Sequence, residues 1–396
     1  MAKRINLSKI NVARSSTIRD INRRIILNYV REEGPISRAE IARSTDLQRS
    51  TVSLIVDELT HAGLVQEVFG ESSGGRPPRL LSLKSGVAIA LGVQVGIKRT
   101  IVGRSDLSGK LIEHREFATN RNYSKSLEKI VKTCKEFIKA SGNTVEGIGL
   151  SLPGLVESWD GKALRIPRLN WDHPKMVEDI SGPTGLPVKV ENDANAVALA
   201  EVWHGRPEIR SLRNFIVVLI DNGIGTGVVF DGQIYRGKRG VAGEFGHMRI
   251  GSDAPSVCSA GNDDCWEAFA SERAALARYR SYVKDNNGQS DIDFPGLVKL
   301  ALEDDPNAVK ALKETAHYIG IGISNLIQGL SPEVTIVTGT IVGAWSLVSD
   351  EIQKAAENAI CNKYPPVTIM PSTLGEYPSL MGALSLVLVD KFASVS

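Results

Sequence analysis

Val87-Ala88-Ile89-Ala90-Leu91-Gly92-Val93-Gln94-Val95-Gly96 divides the chain into two kinds of sequence. Ahead of it, apolar residues recur at the three- and four-residue spacing of helices. From it to the carboxyl end, β-rich runs alternate with helical ones, the pattern of an α/β architecture. At 396 residues the chain also exceeds a single ordinary core, since cores tend to split beyond roughly 250 to 300 residues. The expected organisation is therefore a front domain over residues 1–84 and a larger, two-lobed α/β domain over residues 85–396.

Hydrophobic content of 42%, charged content of 23% and 37 glycines describe a globular protein. No run reaches the ~18 apolar residues that a membrane span needs, and the polar, basic start lacks the apolar stretch of a secretory signal. A cytoplasmic protein without a membrane partner is expected. The cysteines Cys134, Cys258, Cys265 and Cys361 are too scattered for a disulfide framework. Charge is uneven: residues 1–84 hold 14 Lys and Arg against nine Asp and Glu, so they carry +5 and the remainder −3 of a net +2. A basic head on a mildly acidic body directs any nucleic-acid contact to the front.

In that front region Ile18, Ile21, Ile25, Ile26, Tyr29 and Val30 form one helical stripe, stopped by Gly34-Pro35. Ser37-Arg38-Ala39-Glu40 has the spacing of a capping box, opening a short second helix that ends near Ser44. A third helix begins at Gln48 and places Val52, Ile55, Val56 and Leu59 on one face. Two short runs, 64–69 and 80–83, flank a Gly-Arg-Pro tip, as in a wing. In a helix-turn-helix reading, Arg38, Gln48, Arg49, Ser50, Thr51 and Ser53 face DNA. Arg49 suits guanine, and Arg76 suits a narrow minor groove. Small helices with a hairpin also serve as protein-interaction modules, and Arg76-Pro77-Pro78 also reads as a linker kink.

Behind the boundary, 145–150 and Val188-Lys189-Val190 read as strands leading into Pro153-Gly154 and Glu191-Asn192-Asp193-Ala194-Asn195. Polar residues at strand ends are where α/β folds bind ligands. Asp221-Asn222-Gly223-Ile224-Gly225-Thr226-Gly227 reads as a hairpin turn after the apolar strand 215–220. His247, Cys258 and Cys265 are capable of holding a metal, although the cysteine spacing is not the usual one for zinc.

Together these stretches resemble the ROK family (repressors, open reading frames and sugar kinases), in particular its transcriptional regulators. The resemblance rests on Ile36-Ser37-Arg38-Ala39-Glu40-Ile41-Ala42, Ser50-Thr51-Val52-Ser53 and Gly75-Arg76-Pro77 in front. Behind, it rests on Pro153-Gly154, Glu191-Asn192-Asp193-Ala194-Asn195, the Gly223 to Gly227 loop and Gly243-Glu244-Phe245-Gly246-His247. It implies an actin-like, two-lobed sugar-kinase fold preceded by a winged helix-turn-helix. It also implies a sugar or sugar-phosphate site at Gly154, Asn192, Asp193, Glu244, His247 and Glu267, with Asp193 as the base of any kinase. Glu244 or Glu267 as a plain structural ion pair is the alternative.

The nucleotide side departs from the family pattern. Where the kinases open with Asp-x-Gly-Gly-Thr, this chain has Gln94-Val95-Gly96-Ile97-Lys98. Asn222 replaces a Thr, and Thr338-Gly339-Thr340 replaces a more glycine-rich turn. ATP is therefore not an expected cofactor, because phosphoryl transfer needs positioned phosphates and magnesium. The family's cysteine cluster is also incomplete: Ala260 stands where a ligand cysteine belongs, leaving His247, Cys258 and Cys265 for zinc with water, a carboxylate such as Asp263, or no metal at all. The expected protein is a homodimeric or tetrameric repressor that binds duplex DNA and a sugar effector. Its rivals are an ATP-dependent sugar kinase and a regulator controlled by a docking protein.

Overall fold

The computed structural model describes residues 15–71, 77–87, 89–142, 144–158, 161–172, 174–283, 292–359, 364–366 and 368–392. The chain forms two units. One is built from residues up to Ile89 with Ser105–Ile112 and the chain from Leu388 onward, and the other from Ala90–Arg104 and Glu113–Val387.

The first unit opens with α1 (Ser15–Glu33), α2 (Arg38–Thr45) and α3 (Arg49–His61), then the antiparallel pair β1 (Val65–Phe69) and β2 (Arg79–Leu83). The capping box forms: the Ser37 hydroxyl accepts from Glu40 N, and the Glu40 carboxylate accepts from Ser37 N at 2.9 Å. That hydrogen bonding holds the Glu40 carboxyl below its ordinary range. Asp46, in the left-handed region at φ 56°, ends α2 and starts the turn. Val52, Ile55, Val56 and Leu59 are buried as their spacing requires. In α1 the expected stripe is corrected: Ile18 is exposed, and burial concentrates in the second half at Ile26, Leu27 and Val30. In this unit too, Asn28 Nδ2 donates to Phe392 O at 2.6 Å, and Arg31 lies over the Phe392 ring at 4.9 Å.

Two five-stranded sheets lie mostly in the second unit. The first, in the order β10-β6-β3-β4-β5, uses β3 (Ala90–Val95), β4 (Arg99–Ser105), β5 (Leu111–Ala118), β6 (Gly147–Leu152) and β10 (Val188–Asn192), with β3 and β10 parallel to β6. Strands β7 (Leu155–Glu157), β8 (Lys162–Ile166) and β9 (Trp171–Asp172) make a small antiparallel sheet. Helices α4 (Tyr123–Ala140), α5 (Met176–Thr184), α6 (Asp193–His204) and α7 (Pro207–Arg210) fall between.

The second sheet, in the order β13-β12-β11-β14-β15, uses β11 (Phe215–Ile220), β12 (Ile224–Phe230), β13 (Gln233–Ile234), β14 (Val334–Gly339) and β15 (Ile369–Pro371). Strand β11 is buried throughout, because helices cover both faces. On one side lie α8 (Trp266–Ala270), α9 (Glu272–Val283), α10 (Phe294–Leu302), α11 (Pro306–Leu330) and α12 (Trp345–Ala359), and on the other α6; α13 (Pro378–Phe392) closes the order. Trp266 is fully buried, with its indole N–H on Tyr318 O at 2.8 Å, and so fixes the start of α8, on which Glu267 follows. Among the described residues no helix is long and apolar enough to cross a membrane.

Candidate functional site

A cavity of about 530 Å³ gathers Gly154, Asn192, Asp193, Glu244, His247 and Glu267, all six of the residues expected around a sugar, together with Arg168, Asp221, Gly223, Gly225 and Ser259. Asn192 and Asp193 reach it from the end of β10 and the start of α6, Glu267 from α8, and His247 from the short turn Phe245–His247. Strand β10 delivers Asn192, whose Oδ1 caps α6 by accepting from Ala194 N and Asn195 N, while its Nδ2 donates to Gly154 O at 3.1 Å. Asp193, the first residue of α6, accepts from Ala194 N at 2.8 Å. Burial, then the nearby Asp221 carboxylate, pushes Asp193 up to about 7. Burial also raises Glu244, against the opposing pull of His247.

The hairpin expected at 221–227 forms, with Ile220 opposite Ile224. Its glycines allow a close approach: a Cβ at Gly223 would lie 2.8 Å from Glu267 Oε2, and one at Gly225 would lie 2.8 Å from Ala194 Cβ. Any larger residue would push the turn off the start of α6 and off Glu267.

Glu267 is held by three donors on one oxygen. Arg168 Nη2 at 2.8 Å, Arg273 Nη2 at 2.9 Å and Ser259 N at 2.7 Å all point at Oε1. Beside it, His247 Nε2 is 3.4 Å from Ser259 Oγ, whereas His247 Nδ1 is buried without a hydrogen-bond partner. A ligand atom of His247 and the Cys258 and Cys265 sulfurs lie within 4.8 Å of one another. Burial and the Cys258 thiol push Cys265 up to about 12. Two thiols and an imidazole form a soft donor set, and the orphaned ring nitrogen fits a cation at that point.

Near the end of β3, Gln94 Oε1 is buried without a partner among the described residues, and in the turn that follows Gly96 N donates to Arg99 O at 2.9 Å. Facing it electrostatically is Glu272, the first residue of α9, pushed up to about 8 by burial and then by Asp221, with Lys98 pulling the other way.

In the head, Gln48, Arg49 and Ser50 are exposed, and Thr51 and Ser53 half-buried. Arg38 is committed within the head, pairing with Asp57 at 2.8 Å and Glu67 at 3.0 Å. Arg76 lies outside the described residues.

Residues 90–389 match the family model described as the ROK family, and residues 19–66 match that of winged helix-turn-helix DNA-binding domains. The chain belongs to the ROK family. It is 32% identical over 391 residues to a putative xylose repressor of Caldicellulosiruptor sp. (strain Rt8B.4), covering 95% of this chain and 97% of that one. Among solved structures, a ROK family transcriptional regulator homologous to the E. coli MLC protein is 26% identical with a TM-score of 0.77, covering 95% of this chain and 98% of the other. A ROK family glucokinase from Streptomyces griseus, in complex with glucose and AMPPNP, is 28% identical with a TM-score of 0.67, but covers 76% of this chain and 98% of its own. The regulator thus aligns along nearly the whole chain.

Within this ROK fold, sequence reasoning missed Arg168, Arg273, Asp221 and Glu272. Asp221 stood inside the quoted glycine loop and was legible as a polar residue at a strand end. The two arginines and Glu272 carry no local signal, since tertiary packing alone brings Arg168 to the cavity and Arg273 onto Glu267.

Proposed function

We propose that this chain is a DNA-binding repressor of sugar-metabolism genes, governed by a sugar-class effector in the 530 Å³ cavity and without efficient kinase activity. The observation that carries the reading is that one chain joins a winged helix-turn-helix head to a cavity lined by Asn192, Asp193, Glu244, His247 and Glu267. Carboxylates, an amide and an imidazole around one space suit the many hydroxyls of a polyol. The relatives named as repressors support the same reading.

In this proposal residues 1–84 read DNA. Gln48, Arg49, Ser50, Thr51 and Ser53 meet base edges and phosphates, and Arg38 steadies α3 through Asp57. Arg76 is assigned to the minor groove on sequence grounds alone. Two heads of a dimer read a palindromic operator, and the effector acts through unequal affinity for the DNA-competent and incompetent arrangements. Zinc, if bound, is held by His247, Cys258 and Cys265 and supplies rigidity, fixing the ring whose other nitrogen faces Ser259. A kinase reading draws on Asp193 at the start of α6. Against it stands the stretch from Gln94 to Lys98, which offers a buried amide and a lysine where the family's kinases open with an acidic residue, paired glycines and a threonine.

The test is retardation of the promoter fragment upstream of the chain's own gene, repeated with pentoses and hexoses. One sugar should change operator affinity by about 5- to 150-fold, the usual span of allosteric coupling. A protein that ignores promoter DNA at modest ionic strength yet phosphorylates a hexose briskly would overturn the proposal.

A further inference from the structure

Arg168 sits in the short turn Pro167–Leu169 that follows β8, between side chains that give it little freedom. Ile166 and Leu169 are buried, and Trp171 is anchored by its indole N–H on Arg121 O at 2.8 Å. Its side chain lines the cavity, with one N–H used on Glu267 at 2.8 Å. Arg273 donates to the same Glu267 oxygen, but it is satisfied independently, through Nε on Asn222 O and Nη1 on Val257 O, each at 2.7 Å.

Two guanidinium groups thus share a single carboxylate. Oε1 also accepts from Ser259 N, three donors on an oxygen with two lone pairs, while Oε2 has only the Ser259 hydroxyl at 3.4 Å. Arg273 has its other acceptors. Among the described residues Arg168 has Glu267 as its partner, which leaves most of its planar fork to match a carboxylate or phosphate in two parallel bonds. Asp193, Asp221 and Glu244 line the same cavity and provide acceptors for hydroxyl hydrogens.

From this we infer that Arg168 reads an anionic group on the effector, so the cavity prefers a sugar acid or sugar phosphate to the neutral parent sugar. The inference rests on the sugar-effector reading and narrows it. The ligand's hydroxyls meet Asn192, Asp193, Glu244 and His247, its anionic group takes the Arg168 fork, and Arg273 keeps Glu267 in place.

Isothermal titration of the full chain tests this with neutral and anionic pairs: D-xylose against D-xylonate, and D-glucose against D-glucuronate and D-glucose 6-phosphate, with inorganic phosphate alone as a further arm. At least one anionic member should bind about tenfold or more tighter than its neutral parent, the usual gain from charge-assisted hydrogen bonds. Arg168→Gln should erase that ratio, whatever it does to the absolute affinity for the neutral member, and Arg168→Lys should restore part of it. Xylonate or glucuronate against glucose 6-phosphate tells a carboxylate source from a phosphate source. Equal or tighter binding of the neutral member, a ratio untouched by Arg168→Gln, or inorganic phosphate binding as tightly as glucose 6-phosphate would each overturn the inference and leave sugar sensing standing. If no sugar of either kind binds, the sugar reading itself falls with it.

Discussion

The two ends of the cavity differ in what a ligand would meet. At one end Asn192, Asp193, Glu244, His247 and Glu267 gather polar groups around an open volume. At the other, Ile97 brings the turn after β3 to the cavity, next to Lys98 and close in sequence to Gln94, whose buried amide oxygen has no partner among the described residues. The difference separates two properties that a sugar kinase combines. Holding a polyol needs donors and acceptors at hydroxyl positions, whereas moving a phosphoryl group needs a cradle for phosphates and a metal. A fold can keep the first while losing the second, and then binding energy is free to shift a conformational equilibrium.

The largest expected effect falls on the phosphate end. With magnesium, ATP and the best-bound sugar, a coupled assay should give turnover at least about a thousandfold below that of a ROK glucokinase, since losing even one preorganised stabilising donor costs roughly that much. Brisk turnover that disappears in Asp193→Asn would break the comparison. Next comes the sugar end: Glu244→Gln should weaken effector binding by about 10- to 100-fold, the loss expected for a hydrogen bond to a charged group. Lys98→Ala, at the other end, should change that affinity by less than about twofold. Titration calorimetry on both variants decides, and equal losses would show that the two ends act as one site.

A third, smaller effect concerns the head. Arg49→Ala should cost about 1–3 kcal/mol of operator affinity and relax selection at one base pair, whereas a pure phosphate contact would weaken all sequences alike. Binding to a panel of single-base operator variants separates the two. Equal loss on every variant would remove Arg49 from base reading.

How much of this was legible in the sequence depends on how local the signal was. The capping box at Ser37 and Glu40, the buried face of α3 and the hairpin at 221–227 follow from spacing, because each is completed within a few residues. Five of the six cavity residues expected around a sugar, Gly154, Asn192, Asp193, Glu244 and His247, lie within the motifs that carry the resemblance. Glu267 shows the limit: as a ligand-facing acid it reaches the cavity, yet its clamp by Arg168 and Arg273 comes from a turn 99 residues upstream and from the start of α9. Ile18 failed for a related reason. It satisfies the helical spacing of α1, but only the second half of that helix is covered, and periodicity says nothing of where a partner ends.

The smallest effect is also the one that tests whether the sugar wall is held against the fold's own stability. Asp193 is raised from its ordinary 3.8 to about 7 by burial and by Asp221, so between those values the native state keeps a proton that the unfolded chain has released. Stability therefore falls as pH rises from about 4 to 7 and levels off above, because ionising the buried carboxyl is harder in the folded protein. Glu272, raised to about 8, adds a slope of the same sign. Asp193→Asn fixes the neutral form, so its thermal midpoint should exceed that of the unaltered chain by a few degrees at pH 8, and by clearly less at pH 5. Scanning calorimetry at both values reads the difference. An advantage that is equal at the two pH values, or larger at pH 5, would mean that Asp193 is already well solvated or paired. The carboxylate at the start of α6 would then impose no stability cost, and its presence in the cavity would carry no weight as a sign of sugar binding.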